Sequence, residues 1–255
     1  MSETLSRVAV CMATYNGAEF LAPQIDSILQ QLEVGDELLV VDDCSTDETW
    51  QILQHATEVS PCRVELLRNA VNMGHVRTFE RAVDASLNDV IVLVDQDDVW
   101  IPGYIERIRT IFTRDSSIGL IVSRPVFCDE TLTPIQAKND RYRHPRRGGP
   151  LGVGDFLLNR AMPLGCTMSF RREELRYLLP FPSKLLAHDH WIFALATLRN
   201  RMKPLGEPAV LYRRHGGAVT KKRSPWKMVE SRVVLVHQLA RRSLRIVAGE
   251  RRSSA

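Results

Sequence analysis

The first hundred residues alternate between two hydrophobic rhythms. Short apolar runs at Arg7–Ala13, Glu37–Val41, Arg63–Leu67 and Val90–Val94 read as strands, and Val90–Val94 has no polar position at all. A continuously apolar strand is one covered on both faces. Between the runs the spacing lengthens to that of helices. Phe20, Leu21, Ile25, Ile28, Leu29 and Leu32 share one face over Ala18–Leu32, and Gly74–Ser86 fits another helix. Ser45 or Thr46 can cap a helix between these two, with Asp47 and Glu48 in its first turn. Strands alternating with helices predict a Rossmann-like α/β fold, a mostly parallel sheet with helices on both faces. Ligands of such sheets bind beyond the carboxyl ends of the strands. Those ends carry Thr14-Tyr15-Asn16, Asp42-Asp43, Asn69 to Asn72, and Asp95 to Asp98.

The second half is less regular. Ile118–Ser123, Pro125–Cys128, Leu164–Phe170 and Ala209–Arg213 read as strands, and Ala187–Leu198 as a helix. Lys138–Pro150 is basic and rich in Gly and Pro, the composition of a loop. Trp226–Val247 has helical periodicity, with Val229, Val233, Val236, Ala240, Leu244 and Val247 on one stripe. Leu235, Val236 and Leu239 either insert into a lipid surface or pack on the domain.

With 255 residues the chain suits one compact domain with a tail. The longest stretch free of Asp, Glu, Lys and Arg is Val8–Ala18, 11 residues, and a spanning helix needs about 20. The N-terminus has no apolar signal segment, and the five cysteines show no C-x-x-C spacing. Both features predict reduced thiols in the cytoplasm and argue against a zinc cluster. The net charge of +4 hides an asymmetry. Residues 221–255 carry 10 basic and 2 acidic side chains (+8), leaving 24 basic and 28 acidic (−4) in the rest. The tail is a candidate for peripheral contact with an anionic membrane, or a solvated helix face. Nucleic acid is not an expected partner, since no nucleic-acid-binding motif accompanies the charge.

Asp95-Gln96-Asp97-Asp98 carries the strongest chemical signal. Three carboxylates at the end of an apolar strand repel one another, and Mg²⁺ or Mn²⁺, which prefer oxygen ligands, relieve that repulsion. Asp42-Asp43 could bind a ribose or base, or cap a helix. Asp189, flanked by His188, His190 and Trp191 at a helix start, is either a cap or a general base. His215, behind Arg213-Arg214, is either a further ligand or part of a surface turn. There is neither a dinucleotide fingerprint nor a phosphate-binding Gly-rich loop.

Taken in order, VAVCMATYNG (Val8–Gly17), LLVVDDCSTDET (Leu38–Thr49), NAVNMG (Asn69–Gly74) and VLVDQDDVW (Val92–Trp100) resemble the family 2 glycosyltransferases of GT-A fold, over Val8 to about Thr220. DQDDVW, HDHW and LYRRHGG are similar to the rhamnosyltransferase-like branch. The resemblance implies a GT-A domain over 1–220, with a nucleotide-sugar-binding half (1–100) and an acceptor half (101–220), followed by a basic helical tail (221–255). It implies that Tyr15 and Asp43, with Thr14, Asn16 and Asp42, line the nucleotide site. Asp95, with Gln96 beside it, would contact the ribose or the metal shell. Either Asp97 or Asp98 would ligate Mg²⁺ or Mn²⁺, and His215 would be a further metal or diphosphate contact. Asp189 would be the catalytic base. His188, Trp191, Trp100 and Arg213 would be acceptor or diphosphate contacts. The family usually has an acid where this chain has His188.

The implied reaction is inverting transfer of a sugar, with rhamnose from dTDP-rhamnose the first candidate. The donor is a nucleotide-diphosphate sugar and the acceptor a hydroxyl of a glycan or lipid-linked glycan, in cell-surface polysaccharide biosynthesis at the inner membrane face. Two alternatives stand beside it: a GT-A protein that binds nucleotide sugar or glycan without turnover, and a haloacid dehalogenase-like phosphatase using Asp95 as nucleophile.

Overall fold

The computed structural model describes residues 6–135, 144–146, 148–158, 160–216 and 225–253. Four strands arise where the apolar runs predict them: β1 (Val8–Thr14), β2 (Glu37–Asp42), β3 (Arg63–Arg68) and β4 (Val90–Val94). Helices α1 (Ala18–Leu29), α2 (Thr49–Val59) and α3 (His75–Ala85) connect them. Next come β5 (Val99–Trp100), α4 (Tyr104–Arg114), β6 (Leu120–Cys128), α5 (Gly149–Leu157) and β7 (Met168–Arg171). The short α6 (Leu175–Leu178), α7 (His188–Leu198), β8 (Met202–Arg213) and α8 (Pro225–Ser253) complete the chain.

All eight strands form one sheet in the order β3-β2-β1-β4-β7-β6-β8-β5. β1 pairs in parallel with β2 and β4, as do β2 with β3 and β6 with β8. β7 is antiparallel to both β4 and β6, and β5 to β8. The chain winds outward from β1 to β3 and then crosses back to β4 on the other side of β1. The reversal opens a crevice at the carboxyl ends of β1 and β4, where Tyr15 and Asp95–Asp98 stand.

The period of two along the strands divides the core. Val8, Val10, Met12, Val90, Val92 and Val94 face α1, α2 and α4. Ala9, Cys11, Ile91 and Leu93 face α3 and α7, together with Phe156 of α5 and Leu235 and Leu239 of α8. Asp36 accepts the Val8 N–H (3.0 Å) and the Glu33 N–H (2.8 Å) and is paired with the buried Arg109 of α4, which ties the start of β1 to α4.

Several expectations are corrected. The strands expected at Ile118–Ser123 and Pro125–Cys128 are one strand, β6, with register shifts around Arg124 where it pairs with β8. β8 begins seven residues before the expected Ala209. Leu164–Phe170 opens with a 3-10 turn at Gly165–Thr167 before β7. The stretch Lys138–Pro150 lies partly outside the described residues, and its end starts α5 instead of a loop. The boundary expected at 220/221 also lies outside them. In α8, Leu235 and Leu239 take the second of their two expected fates and pack on the domain, whereas Val236 faces outward with the stripe Val229, Val233, Ala240 and Leu244. The helix has a second apolar face, and Arg242 selects it. Its guanidinium donates to the carbonyls of Tyr177 (2.6 Å), Leu179 (2.7 Å) and Pro180 (2.7 Å) and lies over the Trp191 ring.

Candidate active site

Two acids at the end of β2 build the floor. Asp42 is fully buried, and its carboxylate accepts from Thr14 Oγ1 (3.2 Å), the Ser45 N–H (3.0 Å), the Ser45 hydroxyl and Arg68 Nε (3.0 Å). Asp43 accepts from Asn69 Nδ2 and from the N–H groups of Met73 and Gly74, each at 2.8 Å. These bonds draw the loop after β3 beside the turn after β1. A carboxylate so engaged orders its surroundings, so Asp42 and Thr14 act as internal staples. Tyr15 and Asn16 are what this floor exposes, Tyr15 at 47%.

The turn after β1 is locked from several sides. The Tyr15 N–H donates to Gln96 Oε1 (2.8 Å) and Gln96 Nε2 donates back to the Tyr15 carbonyl (3.1 Å). Both ends of the Gln96 amide are thus engaged, which makes Gln96 a brace in the contact it was expected to offer a ligand. Asn16 Oδ1 accepts the Thr46 N–H (2.9 Å), and the Gly17 N–H donates to Thr49 Oγ1 (2.8 Å). A Cβ on Gly17 would stand 2.3 Å from Gln96 Oε1, so a larger residue there would have to displace the Gln96 amide from its bonds to Tyr15. Gln24 of α1 holds the other side, donating from Nε2 to the Asp95 carbonyl at 2.8 Å.

The acidic segment divides by burial. Asp95 and Asp97 are half-buried, whereas Asp98 is fully buried. Asp98 Oδ1 accepts the Arg213 N–H (3.0 Å), and Arg213 Nε donates to the Asp97 carbonyl (2.8 Å). Arg213 also bonds the Glu130 carbonyl and lies over Phe20, so it is a buried clamp and not the diphosphate contact expected of it. His215, held against Phe20 at 4.6 Å between ring centroids, brings Nε2 to 2.8 Å from Asp97 Oδ2. This geometry separates the two acids that the sequence leaves equivalent: Asp97 faces His215 in the cleft, and Asp98 faces the interior.

Burial, with the charges of Asp97 and Asp189 adding to it, pushes Asp95 up to about 7. Burial pushes Asp98 well above the usual carboxylate range, and Asp97 and Asp95 push the same way. The Cys166 thiol stands against both; the ligand atoms of Asp95, Asp98 and Cys166 lie within 4.8 Å of one another. Burial and these acids push the thiol well up, so it is protonated. Asp98 Oδ2 is buried with no conventional partner among the described residues. The crowded, partly protonated acids fit a divalent cation. Asp97 offers oxygen beside the His215 nitrogen, and Asp95 offers oxygen close to Asp98 and Cys166; the carboxylates suit Mg²⁺ or Mn²⁺, for which the soft thiol of Cys166 is a poor ligand.

Asp189 opens α7, and its Oδ1 accepts the His190 N–H at 2.7 Å. Burial pushes this carboxyl up, but His190, His188, the His190 N–H and His75 together pull it below its ordinary value. It is therefore ionised at neutral pH. Its charge is felt at Asp95, so the two acids stand near one another. His188 is buried, stacked on Phe79 at 4.0 Å, and pushed down to about 4 by burial, so it is neutral. Gly165 allows its close packing, since a Cβ there would stand 3.1 Å from His188 Nε2. Three expected contacts are corrected by burial. His188 is enclosed, Trp191 is fully buried with Nε1 donating to the Leu178 carbonyl (3.0 Å), and Trp100 packs edge-on to Tyr104 in the core.

Residues 9–179 match the family model described as glycosyl transferase family 2. The chain belongs to this family. A glycosyltransferase of Nostoc sp. described as uncharacterized is 26% identical over 215 residues, 82% of this chain and 65% of that protein. The dTDP-rhamnosyl transferase RfbG of Shigella flexneri is 26% identical over 216 residues, 80% and 71% of the two chains. The chain thus spans about two thirds of the length of these curated relatives. Among solved structures, S. aureus TarS with UDP-GlcNAc superposes with a TM-score of 0.68 at 18% identity, covering 90% of this chain and 65% of that one. The mannosyltransferase PcManGT of Pyrobaculum calidifontis, with GDP-Man and Mn²⁺, gives 0.59 at 18%, covering 95% and 65%. The fold is that of GT-A glycosyltransferases, and with the family assigned the phosphatase alternative falls.

The family match ends before Asp189 and His215, so the placement of those two rests on geometry. Sequence reasoning missed Phe20, Gln24, Gly165 and Cys166. The pair Gly165-Cys166 just before an apolar run was the available signal.

Proposed function

We propose that the chain transfers a sugar from a nucleoside-diphosphate donor to a hydroxyl of a glycan or lipid-linked acceptor, with inversion, in the assembly of a cell-surface polysaccharide. The observation that carries this reading is the family 2 match over residues 9–179, joined by the acids at the end of β4 and the ionised Asp189, whose charge reaches Asp95. Rhamnose from a dTDP donor is the first candidate, supported by the likeness to the Shigella rhamnosyl transferase.

Each residue then has a task. The floor held by Asp43, with Tyr15 exposed above it, receives the nucleotide. Asp97, His215 and Asp95 would hold Mg²⁺ or Mn²⁺. Such a cation supplies positive charge to the departing diphosphate, the largest charge that develops in the reaction. Asp189 accepts the proton of the attacking hydroxyl. It is ready to do so because it is ionised before the acceptor arrives. One base on the face opposite the leaving group corresponds to direct displacement. The enclosed Trp191, tied to Leu178, fixes the helix that carries the base.

The test is turnover across a panel of nucleotide sugars, with Mg²⁺ or Mn²⁺ and then with chelator. Release of nucleoside diphosphate from one donor, lost with chelator, is the expected result. Tight donor binding without turnover for every acceptor offered would favour the non-catalytic alternative.

A further inference from the structure

Among the described residues, the outward face of α8 is an apolar stripe left exposed. Trp226 (82% exposed), Val229, Val233 (64%), Val236 and Leu244 (72%) recur every three or four residues, with Ala240 among them. At 100° per residue they share one side of the helix over about 27 Å. The domain holds the other side, through Leu235, Leu239 and Arg242. Arg232 borders the stripe on one side and the exposed Arg241 on the other, with the exposed Arg245 beyond it.

We infer that this face is a docking surface for an anionic lipid membrane, with α8 lying in the plane of the interface. Apolar side chains on one face, an aromatic ring at one end and arginines along the borders match a helix buried to the depth of the headgroups. Arginine borders can keep their stems on apolar surface and their charge among headgroup phosphates. The charge of the whole chain favours the same orientation. Residues 221–255 carry +8 and the remainder −4, so an anionic surface attracts the tail and repels the body. A second copy is a poorer occupant. Packing stripe on stripe would bring arginine borders together, with Glu230 alone among the nearby residues of the face to offset them. Among the described residues no helix is long and apolar enough to cross a membrane, so contact through α8 would be peripheral. The inference does not depend on the transfer reaction.

The test is co-sedimentation of the full chain with vesicles of phosphatidylcholine alone and of phosphatidylcholine with phosphatidylglycerol. Binding is expected only to the anionic vesicles, weakening as salt rises. Val233→Asp with Leu244→Asp should reduce it at least about tenfold, by placing charge in the buried stripe. Arg241→Gln with Arg245→Gln should reduce it about 25-fold, at roughly fivefold for each arginine lost. All four positions are exposed, so the variants should keep the wild-type circular dichroism and melting temperature. No binding to anionic vesicles at low salt would overturn the inference. So would equal binding to both vesicle types, or wild-type binding by the Asp variant. Concentration-dependent dimerisation of the lipid-free protein that Val233→Asp abolishes would assign the stripe to a second copy and overturn it as well.

Discussion

Metal affinity should fall steeply as pH drops through neutrality, because Asp95 holds its proton unusually tightly. Burial and the charges of Asp97 and Asp189 keep it protonated up to about 7 in the metal-free protein. A cation beside it favours the charged form, so binding must expel that proton. With one proton released, the ionised fraction falls from about nine tenths at pH 8 to about one tenth at pH 6. Apparent affinity should therefore drop about tenfold over that interval, and about tenfold again by pH 5. The folded pKa lies above that of an unfolded aspartate, so the folded chain binds the proton more tightly. The metal-free protein accordingly gains stability as pH falls through 7 toward 4. The rise in Tm produced by metal should shrink over the same window. Titration with Mn²⁺, following free ion by electron paramagnetic resonance between pH 5 and 8, measures the first effect. Asp95→Asn should flatten the profile. Affinity constant within about twofold from pH 6 to 8, or an unchanged slope in Asp95→Asn, would refute this reasoning.

Three further outcomes are expected. Arg109→Ala strands Asp36 as an unpaired buried charge and should cost about 3–5 kcal/mol in urea unfolding; a loss below about 1 kcal/mol would mean that water reaches the carboxylate. Gly17→Ala drives a methyl group against Gln96 and should weaken nucleotide binding at least about tenfold, with about 1–3 kcal/mol lost from stability; unchanged nucleotide affinity by calorimetry would remove the Tyr15 turn from the binding site. Arg242→Ala removes three bonds to the carbonyls of Tyr177, Leu179 and Pro180 and should speed amide exchange in α8 while leaving β4 protected; unchanged exchange in α8 would show that Leu235 and Leu239 hold the helix by themselves.

The sheet from β1 to β4 was legible because each strand there is a short apolar run bounded by helix-period segments. Later elements were hidden by local chemistry. Arg124 and Pro125 interrupt β6 in sequence, yet the strand continues through register shifts against β8. Pro204, Gly206 and Pro208 disguise β8, whose ladder depends on a partner far away in sequence. β5, α4 and α5 were not anticipated; α5 starts at a glycine with φ of 68°, inside a stretch that looks like a loop. In the site, residue types located the acids but not their roles. Only the fold shows that Asp97 meets His215 while Asp98 turns inward, and that Trp100, Trp191 and Arg213 are engaged in the interior. The stripe on α8 was visible in the sequence, but which face would be covered depended on where Arg242 found acceptors.

The central claim is that one cleft divides its work between Asp97, for metal and donor, and Asp189, for the acceptor proton. The most direct test compares Asp97→Ala with Asp189→Asn on the same donor, measuring metal-dependent binding and turnover together. Asparagine keeps an oxygen for the His190 N–H, so the helix start survives. Asp97→Ala should lose metal-dependent donor binding, whereas Asp189→Asn should bind donor as the wild type does and turn over about 10²–10⁴-fold more slowly. Turnover within about tenfold of wild type in Asp189→Asn, or intact metal-dependent binding in Asp97→Ala, would contradict the account.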